Sequence, residues 1–214
     1  MAKLKDGILG AFLGKIGPVV ASRRGSTIYI KSRPATVKHP NTPKQKAAKS
    51  RFGVTSTLSS LLLDFHRHSL LTEPGRTSYN RFISLNIKEA MKETENGFEA
   101  DYRKLILSAG VLEPLQELKA ERTEQGHLSF SWKYEYTDRA KRDDQVLLLA
   151  ISPALNKIDY RFNAAARMDE EAVLKIPDEF RNEVIYVYSC VQSMDRKRSS
   201  DSQFAGEFIQ NPMK

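Results

Sequence analysis

The feature that most constrains this chain is a strict two-residue alternation across residues 128–136. Large apolar or aromatic side chains occupy every second position there, namely Leu128, Phe130, Trp132, Tyr134 and Tyr136. Serine, lysine and glutamate fill the positions between them. Because side chains alternate between the two faces of a β-strand, this pattern predicts a strand with one buried and one exposed face. A helix is excluded because its period is 3.6 residues rather than two.

Short apolar segments separated by turn-forming residues continue through the rest of the C-terminal half. Besides residues 128–136, the predicted strands are 104–107, 116–122, 146–151, 157–163, 172–176 and 184–191, and 203–209 is a possible last edge strand. About seven short strands at this spacing are typical of a sandwich of two antiparallel sheets. We therefore expect an antiparallel β-sandwich over residues 97–214.

The N-terminal part has a different pattern. Strand-forming residues flank Arg23-Arg24-Gly25-Ser26, whose composition favours a turn, and this predicts a β-hairpin within residues 18–34. Glycines at positions 7, 10, 14 and 17 oppose a helix over residues 6–17, since each interior glycine costs about 1 kcal/mol relative to alanine. Turns, or backbone packed closely against another element, are expected there instead.

Two helices are predicted between the hairpin and the sandwich. The first begins at Thr42, with Pro43 at its first position, and continues through the apolar positions Val54, Leu58, Leu61, Leu62 and Phe65. The second covers residues 77–91. The expected fold class is therefore α+β, with a basic hairpin and helical region at 1–96 and a sandwich domain at 97–214.

Positive charge is concentrated in the first quarter of the chain. Residues 1–51 contain twelve lysines and arginines and a single acid, Asp6, which gives a formal charge of +11. Because the whole chain carries +8, residues 52–214 carry −3. Such asymmetry favours a polyanionic partner or an acidic protein surface.

The basic segment supplies the candidate binding residues. Cations on a hairpin and on a helix start would contact nucleic-acid phosphates without sequence specificity, and Tyr29 would stack on a base. The candidate residues are Arg23, Arg24, Tyr29, Lys31, Arg33, Lys44, Lys46, Lys49 and Arg51.

Three other interpretations of the same segment stay open. The cations can simply solvate a glycine-rich apolar arm. Residues 1–40 can instead pack on a partner protein or on a second subunit, as in a structural or assembly protein. Apolar residues within 8–16 can touch a membrane surface, although the glycines weaken that interpretation.

No motif in the sequence favours an enzyme, and no catalytic residue, metal or cofactor is predicted. The Gly10-x-x-x-Gly14-Lys15 run has one residue too few between its glycines for a phosphate-binding loop. His66 and His68 are separated by about 200° on a helix, so they cannot bind one metal together and are expected to be surface or interface residues at a helix end. The lone Cys190 lies in an apolar run and is expected to be a buried thiol.

The sequence also bears on location. No apolar run approaches the length of a membrane-spanning helix, and the N-terminus lacks the purely basic leader of a secretory signal. One cysteine fits a reducing compartment. A cytoplasmic location is expected.

Several short segments resemble an uncharacterised family of Bacteroidota hypothetical proteins. They are residues 2–10, 14–17, 19–20, 31–34, 40–45 and 51–52, followed by Leu-Ser-Ala-Gly at 107–110 and Ser-Trp at 131–132. The chain departs from the family pattern at residues 12–13, 18 and 22–24. The resemblance implies a bacterial origin and an immunoglobulin-like C-terminal half, and it implies no activity, cofactor or catalytic residue.

Overall fold

The computed structural model describes residues 3–4, 12–33, 41–72, 75–95, 97–180 and 182–209. The chain divides into two compact units, Met1–Pro43 and Lys44–Lys214. The domain boundary expected between residues 96 and 97 stays a prediction, and Asn96 itself lies outside the described residues.

The first unit is an antiparallel meander whose strands follow one another in chain order. They are β1 (Lys3–Leu4), β2 (Phe12–Ile16), β3 (Val19–Arg24) and β4 (Thr27–Ser32). Two-residue loops join β2 to β3 and β3 to β4, and each begins with a glycine at positive φ, 53° at Gly17 and 63° at Gly25. Glycine in the first position suits the tight turns whose twist matches that of the strands.

The hairpin predicted within residues 18–34 is confirmed, and its turn is shorter than predicted, because Arg23 and Arg24 belong to β3 and only Gly25-Ser26 form the loop. Strand β2 was not expected, because its glycine disfavours regular structure. Gly14 has φ 110° and pairs with Ala21, so a residue without a side chain fits into the ladder there. Residues 5–11 lie outside the described part of the chain.

The second unit begins with helices α1 (Pro43–Leu61), α2 (Leu63–Ser69) and α3 (Ser78–Glu89). Pro43 is the first residue of α1, as the sequence predicts. Thr77 caps α3, and its hydroxyl oxygen accepts a hydrogen bond from the Asn80 amide at 3.2 Å. Both predicted helices are thus confirmed, although the first ends at Leu61 and a separate short helix carries Phe65.

The strands of the second unit form three antiparallel sheets in the described residues. They are β5 (Met91–Thr94), β6 (Gly97–Ala100), β7 (Gln116–Arg122), β8 (Leu128–Lys133), β9 (Gln145–Ser152), β10 (Lys157–Ala166), β11 (Glu171–Leu174), β12 (Val184–Gln192) and β13 (Gln203–Ile209). The sheet orders are β10-β9-β12-β13, β11-β8-β7 and β5-β6. The protein is therefore α+β, and its sheets are antiparallel.

The two central strands of the β10-β9-β12-β13 sheet, β9 and β12, are buried on both faces. On β9, Val146, Leu148 and Ala150 pack into an apolar core shared with the three-stranded sheet, which contributes Phe130 and Trp132. The alternate residues Leu147, Leu149 and Ile151 pack into a second core with the helices, where the largest contributors are Leu62, Phe65 and Phe82. The continuous apolar run predicted as a strand is explained by these two cores.

Residues 104–107 do not form a strand, and this prediction was wrong. A 3₁₀ helix, Tyr102–Lys104, leads into an extended segment at 105–110 whose backbone is paired mainly with side chains. Asn86 of α3 accepts from the Ile106 amide at 2.7 Å and donates to the Ile106 carbonyl at 2.8 Å. The Ser202 hydroxyl accepts from the Leu107 amide at 2.9 Å. Buried backbone groups need partners, and here side chains distant in sequence supply them.

The same segment passes close to the chain at residues 199–201. The hydroxyl of the fully buried Ser108 lies 2.9 Å from the Ser69 carbonyl and 2.7 Å from the Ser200 carbonyl, between which its one proton is shared. The Gly110 amide donates to the Asp201 carboxylate at 3.1 Å. A Cβ atom on Gly110 would overlap the Ser199 carbonyl. Position 110 therefore requires glycine because of its neighbour.

No helix in the described ranges is both long and apolar enough to cross a bilayer.

We predict that Gly110→Ala destabilises the protein by about 3 kcal/mol, because the added methyl group meets backbone that cannot move without breaking the contacts around Ser199. The free energy of unfolding, measured by denaturant titration, checks this. Gly53→Ala is the matched control, since a Cβ there meets nothing within 4 Å in α1. It should stabilise the protein by about 1 kcal/mol, and a loss of the same size at both sites would refute the explanation.

Candidate nucleic-acid interface

The register of the meander sorts its side chains onto two faces. Directly paired residues of antiparallel strands lie on the same face. Lys15 pairs with Val20 and Val20 pairs with Lys31, so Lys15 and Lys31 share a face. Tyr29 and Arg24 lie on that face as well, because they alternate in step with Lys31 and Val20. We call Lys15, Arg24, Tyr29 and Lys31 the basic face.

Arg33 extends this face by one position. It follows β4, and its amide donates to the Pro18 carbonyl at 2.6 Å, so the ladder continues to that residue. Arg33 is two residues beyond Lys31 and therefore lies on the same side. Four of the predicted candidate residues, Arg24, Tyr29, Lys31 and Arg33, are thus brought together.

The opposite face of the meander is apolar. It carries Phe12, Ile16, Val19, Ala21, Ile28 and Ile30. Arg23, another predicted candidate, also lies on this face because it pairs with Ile28. Its Nε donates to the Gly25 carbonyl at 2.9 Å, which ties the guanidinium to the turn.

The basic face is exposed, and in the described part of this unit no acid accompanies its cations. Lys15, Arg24, Lys31 and Arg33 are all exposed, and 53% of the surface of Tyr29 is accessible. Neighbouring strands lie about 4.8 Å apart, so Lys15 and Lys31 are about 10 Å apart across the sheet. Cations held at this spacing without acids between them create a positive potential that attracts a polyanion.

The remaining candidates lie on α1 in the second unit and do not share one side. At 3.6 residues per turn, Lys44 and Arg51 are two turns apart on one side, while Lys46 and Lys49 lie on the other. Arg51 is half-buried, and its guanidinium carbon lies 4.5 Å from the centroid of the Phe98 ring. This cation–π contact stabilises the packing of α1 on β6.

Sequence reasoning did not select Lys15 as a binding residue. The alternation of side chains along the strands could have identified it. Once the two-residue turn at Gly17-Pro18 is recognised, Lys15 pairs with Val20 and so lies on the same face as Lys31. The membrane-contact interpretation falls largely on residues 8–11, which lie outside the described part of the chain.

Two buried groups that could carry chemistry are structural in this fold. Cys190 is buried, and burial raises the pKa of its thiol to about 12, so it is not a thiolate near neutral pH. Asp144 and Arg167 form a buried ion pair with 3.5 Å between Oδ2 and Nε. Burial raises the pKa of Asp144, and Arg167 also donates to the Glu113 carbonyl at 2.6 Å. The pair fixes the start of β9 to the segment before β7.

Two other kinds of site, a groove for a small molecule and a metal site, were also considered in the second unit. A groove of about 620 Å³ lies between α1 and β6, and Val54, Leu58, Phe98 and Tyr102 are among the residues that line it. Within the described ranges, histidine, cysteine and acidic side chains form no group that could hold a metal ion.

His66 was expected to be a surface or interface residue at a helix end, and the surface alternative is wrong. The side chain is fully buried between helices, with its ring stacked on Phe82 at a centroid distance of 5.1 Å. Its Nε2 lies 3.0 Å from the hydroxyl of Ser59, and its Nδ1 is buried without a hydrogen-bond partner. The neighbouring His68 is exposed, as expected.

Comparison with protein families gives a match over most of the chain. A family model described as a family of unknown function (DUF6266) matches residues 11–206. No curated protein matches the chain. The matched range includes β2, β3 and β4 of the meander and nearly all of the second unit.

We predict that the free energy of unfolding falls as the pH drops below about 6.5, partly because of His66. Burial lowers the pKa of His66, and the nearby Arg67 lowers it further, so the unfolded chain takes up a proton that the folded chain resists. Denaturant titrations between pH 7 and pH 5 should show this loss.

His66→Gln should flatten that pH dependence, and the exposed His68→Gln should preserve it. An NMR titration of the wild-type imidazoles provides a readout that does not need a folded variant. A His66 pKa at or above 6.5 would contradict the prediction.

Proposed function

We propose that this chain, which belongs to the family of unknown function DUF6266, is a non-enzymatic protein that binds nucleic-acid phosphates through the basic face of its meander. The observation that supports the proposal is the grouping of Lys15, Arg24, Lys31 and Arg33 on one exposed side of a narrow sheet. A Bacteroidota origin, a cytoplasmic location and an immunoglobulin-like form of the C-terminal half stay predictions.

The physical basis is the release of counterions. Each phosphate that a lysine or arginine neutralises releases condensed cations from the nucleic acid, so affinity falls with salt in proportion to the number of contacts. Four cations on the basic face correspond to a slope of about −3.6 in a plot of log affinity against log salt for duplex DNA. Binding of this kind does not depend on base sequence.

Tyr29 adds a preference for single strands. Its ring lies among the cations of the basic face and is exposed, so an unpaired base can stack on it while Lys31 and Arg24 contact the adjoining phosphates. Bases in a duplex are already stacked on one another, so the ring contributes less to duplex binding. The ligand class expected from this arrangement is single-stranded DNA or RNA of any sequence.

We predict that Arg24→Gln weakens binding of a labelled duplex about eightfold at 0.1 M salt and makes the salt slope shallower by about 0.9, because one phosphate contact is lost. Fluorescence anisotropy across a salt series measures both quantities. Arg23→Gln is the matched control, since it removes the same charge from the next residue of β3 on the opposite face.

Arg23→Gln should leave the slope unchanged. Equal losses from both variants would show that only total charge matters and that the cations solvate the segment. Binding that does not respond to salt, or no binding at low salt, would refute the proposal.

We predict that Tyr29→Ala weakens single-stranded DNA binding by about 1–3 kcal/mol and leaves duplex binding nearly unchanged, because a stacking platform is removed. Tyr29→Phe should keep most of the affinity. Tyr136→Ala serves as the control, since this tyrosine is 69% exposed in the second unit and outside the basic face. Equal weakening of single-stranded and duplex binding by Tyr29→Ala would argue against stacking.

A further inference from the structure

Strand β4 forms an edge of the meander, and its outward backbone groups can be identified. The Arg33 amide bonds to the Pro18 carbonyl, and hydrogen-bonded pairs alternate along an antiparallel ladder. Thr27, Tyr29 and Lys31 therefore bond to β3. The N–H and C=O groups of the alternate residues Ile28, Ile30 and Ser32 point away from the sheet.

These groups have no partner in the described part of the chain. No backbone hydrogen bond outside the ladder involves Ile28, Ile30 or Ser32. The side chains along this edge are largely exposed, with Ile30 63% and Tyr29 53% accessible. Edges are normally protected by proline, a bulge, several charges or a very short strand, whereas β4 is six residues long with one lysine and no proline.

We propose that β4 pairs antiparallel with β4 of a second copy of this chain, centred on Ile30. In this register Ile30 lies opposite Ile30 of the second copy, and Ile28 lies opposite Ser32. It is the symmetric register in which all three outward-pointing residues of each strand form hydrogen-bonded pairs. A register centred on Tyr29 would leave Ser32 beyond the end of the partner strand, opposite the turn residue Ser26.

The side chains are compatible with this register. Tyr29 lies opposite Lys31 of the second copy, which places an aromatic ring beside an ammonium group, and Thr27 lies opposite Arg33. No cation of β4 lies directly opposite another cation. On the apolar face, the two Ile30 side chains meet at the twofold axis and bury surface that is exposed in the single chain.

The charge of the two units opposes the pairing, and this gives the proposal a distinct signature. Two basic meanders repel each other, and salt screens that repulsion over about 10 Å at 0.1 M. Self-association should therefore strengthen as salt increases. Phosphate binding weakens as salt increases, so the two processes respond to salt with opposite signs.

The first test is sedimentation velocity on the full chain over a hundredfold concentration range, at 0.05 and 0.5 M salt. Wild type should shift from monomer to dimer, at lower concentration in high salt. Ile30→Pro should stay monomeric, because proline removes an outward N–H that β3 does not use. Ile30→Val keeps the N–H and should associate like wild type.

Two results would overturn the proposal. One is wild type that stays monomeric at 0.5 M salt, which would leave this edge to an extended segment of a different protein. The other is Ile30→Pro that associates like wild type. DNA binding by Ile30→Pro separates this proposal from the proposed function, because its single-chain affinity depends on the basic face and not on pairing.

A second test fixes the register with a short thiol-to-thiol crosslinker. Opposed Cα atoms of a hydrogen-bonded pair are about 5.5 Å apart, so Ile30→Cys should give a covalent dimer. Ile28→Cys should not, because the two copies of residue 28 are four positions out of register, about 13 Å apart. The native Cys190 is buried and should not react. Crosslinking of Tyr29→Cys in preference to Ile30→Cys would overturn this register.

Discussion

The second unit depends on a sheet that has no solvent-facing side over most of β9. Successive residues from Val146 to Ile151 enter two different cores, one shared with the three-stranded sheet and one shared with the helices. Neither neighbouring layer could be lost without exposing half of this strand to water, which costs about 25 cal/mol for each Å² of apolar surface. The helices are therefore part of the same packed structure as the sheets.

The segment at 105–110 runs at the boundary of the helical layer without joining a sheet. Its backbone N–H and C=O groups therefore need hydrogen-bond partners other than a neighbouring strand. Side chains of Asn86, Ser202 and Ser69 supply hydrogen bonds that a neighbouring strand would otherwise provide. The Leu-Ser-Ala-Gly motif at 107–110 is one of the segments that carry the family resemblance. In this structure its glycine, Gly110, lets the backbone pass close to Ser199.

The strands that could be predicted from sequence are those whose pattern matches a single physical environment. The bounds of β7 and β13 agree with the predicted 116–122 and 203–209, and Trp132 is buried on the expected face of β8. The β5-β6 hairpin was not predicted, since Met91-Lys92-Glu93-Thr94 has no apolar alternation. Residues 104–107 were wrongly assigned because an apolar run is common to strands and to buried extended segments, and only the long-range partners Asn86 and Ser202 distinguish them.

In the candidate interface, too, some features could be predicted from sequence and others could not. The turn was predicted at Arg23-Arg24-Gly25-Ser26, and the alternation of Arg24 with Tyr29 and Lys31 follows only once Arg24 is assigned to β3. Lys15 was not included, because the glycines around it disfavour a strand and β2 was therefore not predicted. His66 was misplaced for a related reason: its neighbours Asp64 and Arg67 are exposed, and a helix position between charged residues gives no sign of a core that lies on its other side.

If both proposals hold, the cations of the basic face affect two processes, the pairing of β4 with a second copy and the binding of phosphates. Pairing would extend the basic face across the twofold axis, so that a nucleic-acid strand could contact cations of both copies. A polyanion that neutralises the repulsion between two meanders must favour the pair, and thermodynamic linkage then requires the pair to bind the polyanion more tightly by the same factor. The edge of β4 and the basic face would thus be thermodynamically coupled. Dimerisation would be weak in the absence of the polyanion and stronger in its presence. The apolar face behind the cations contributes through Ile30, which lies at the axis and adds an attraction that salt does not weaken.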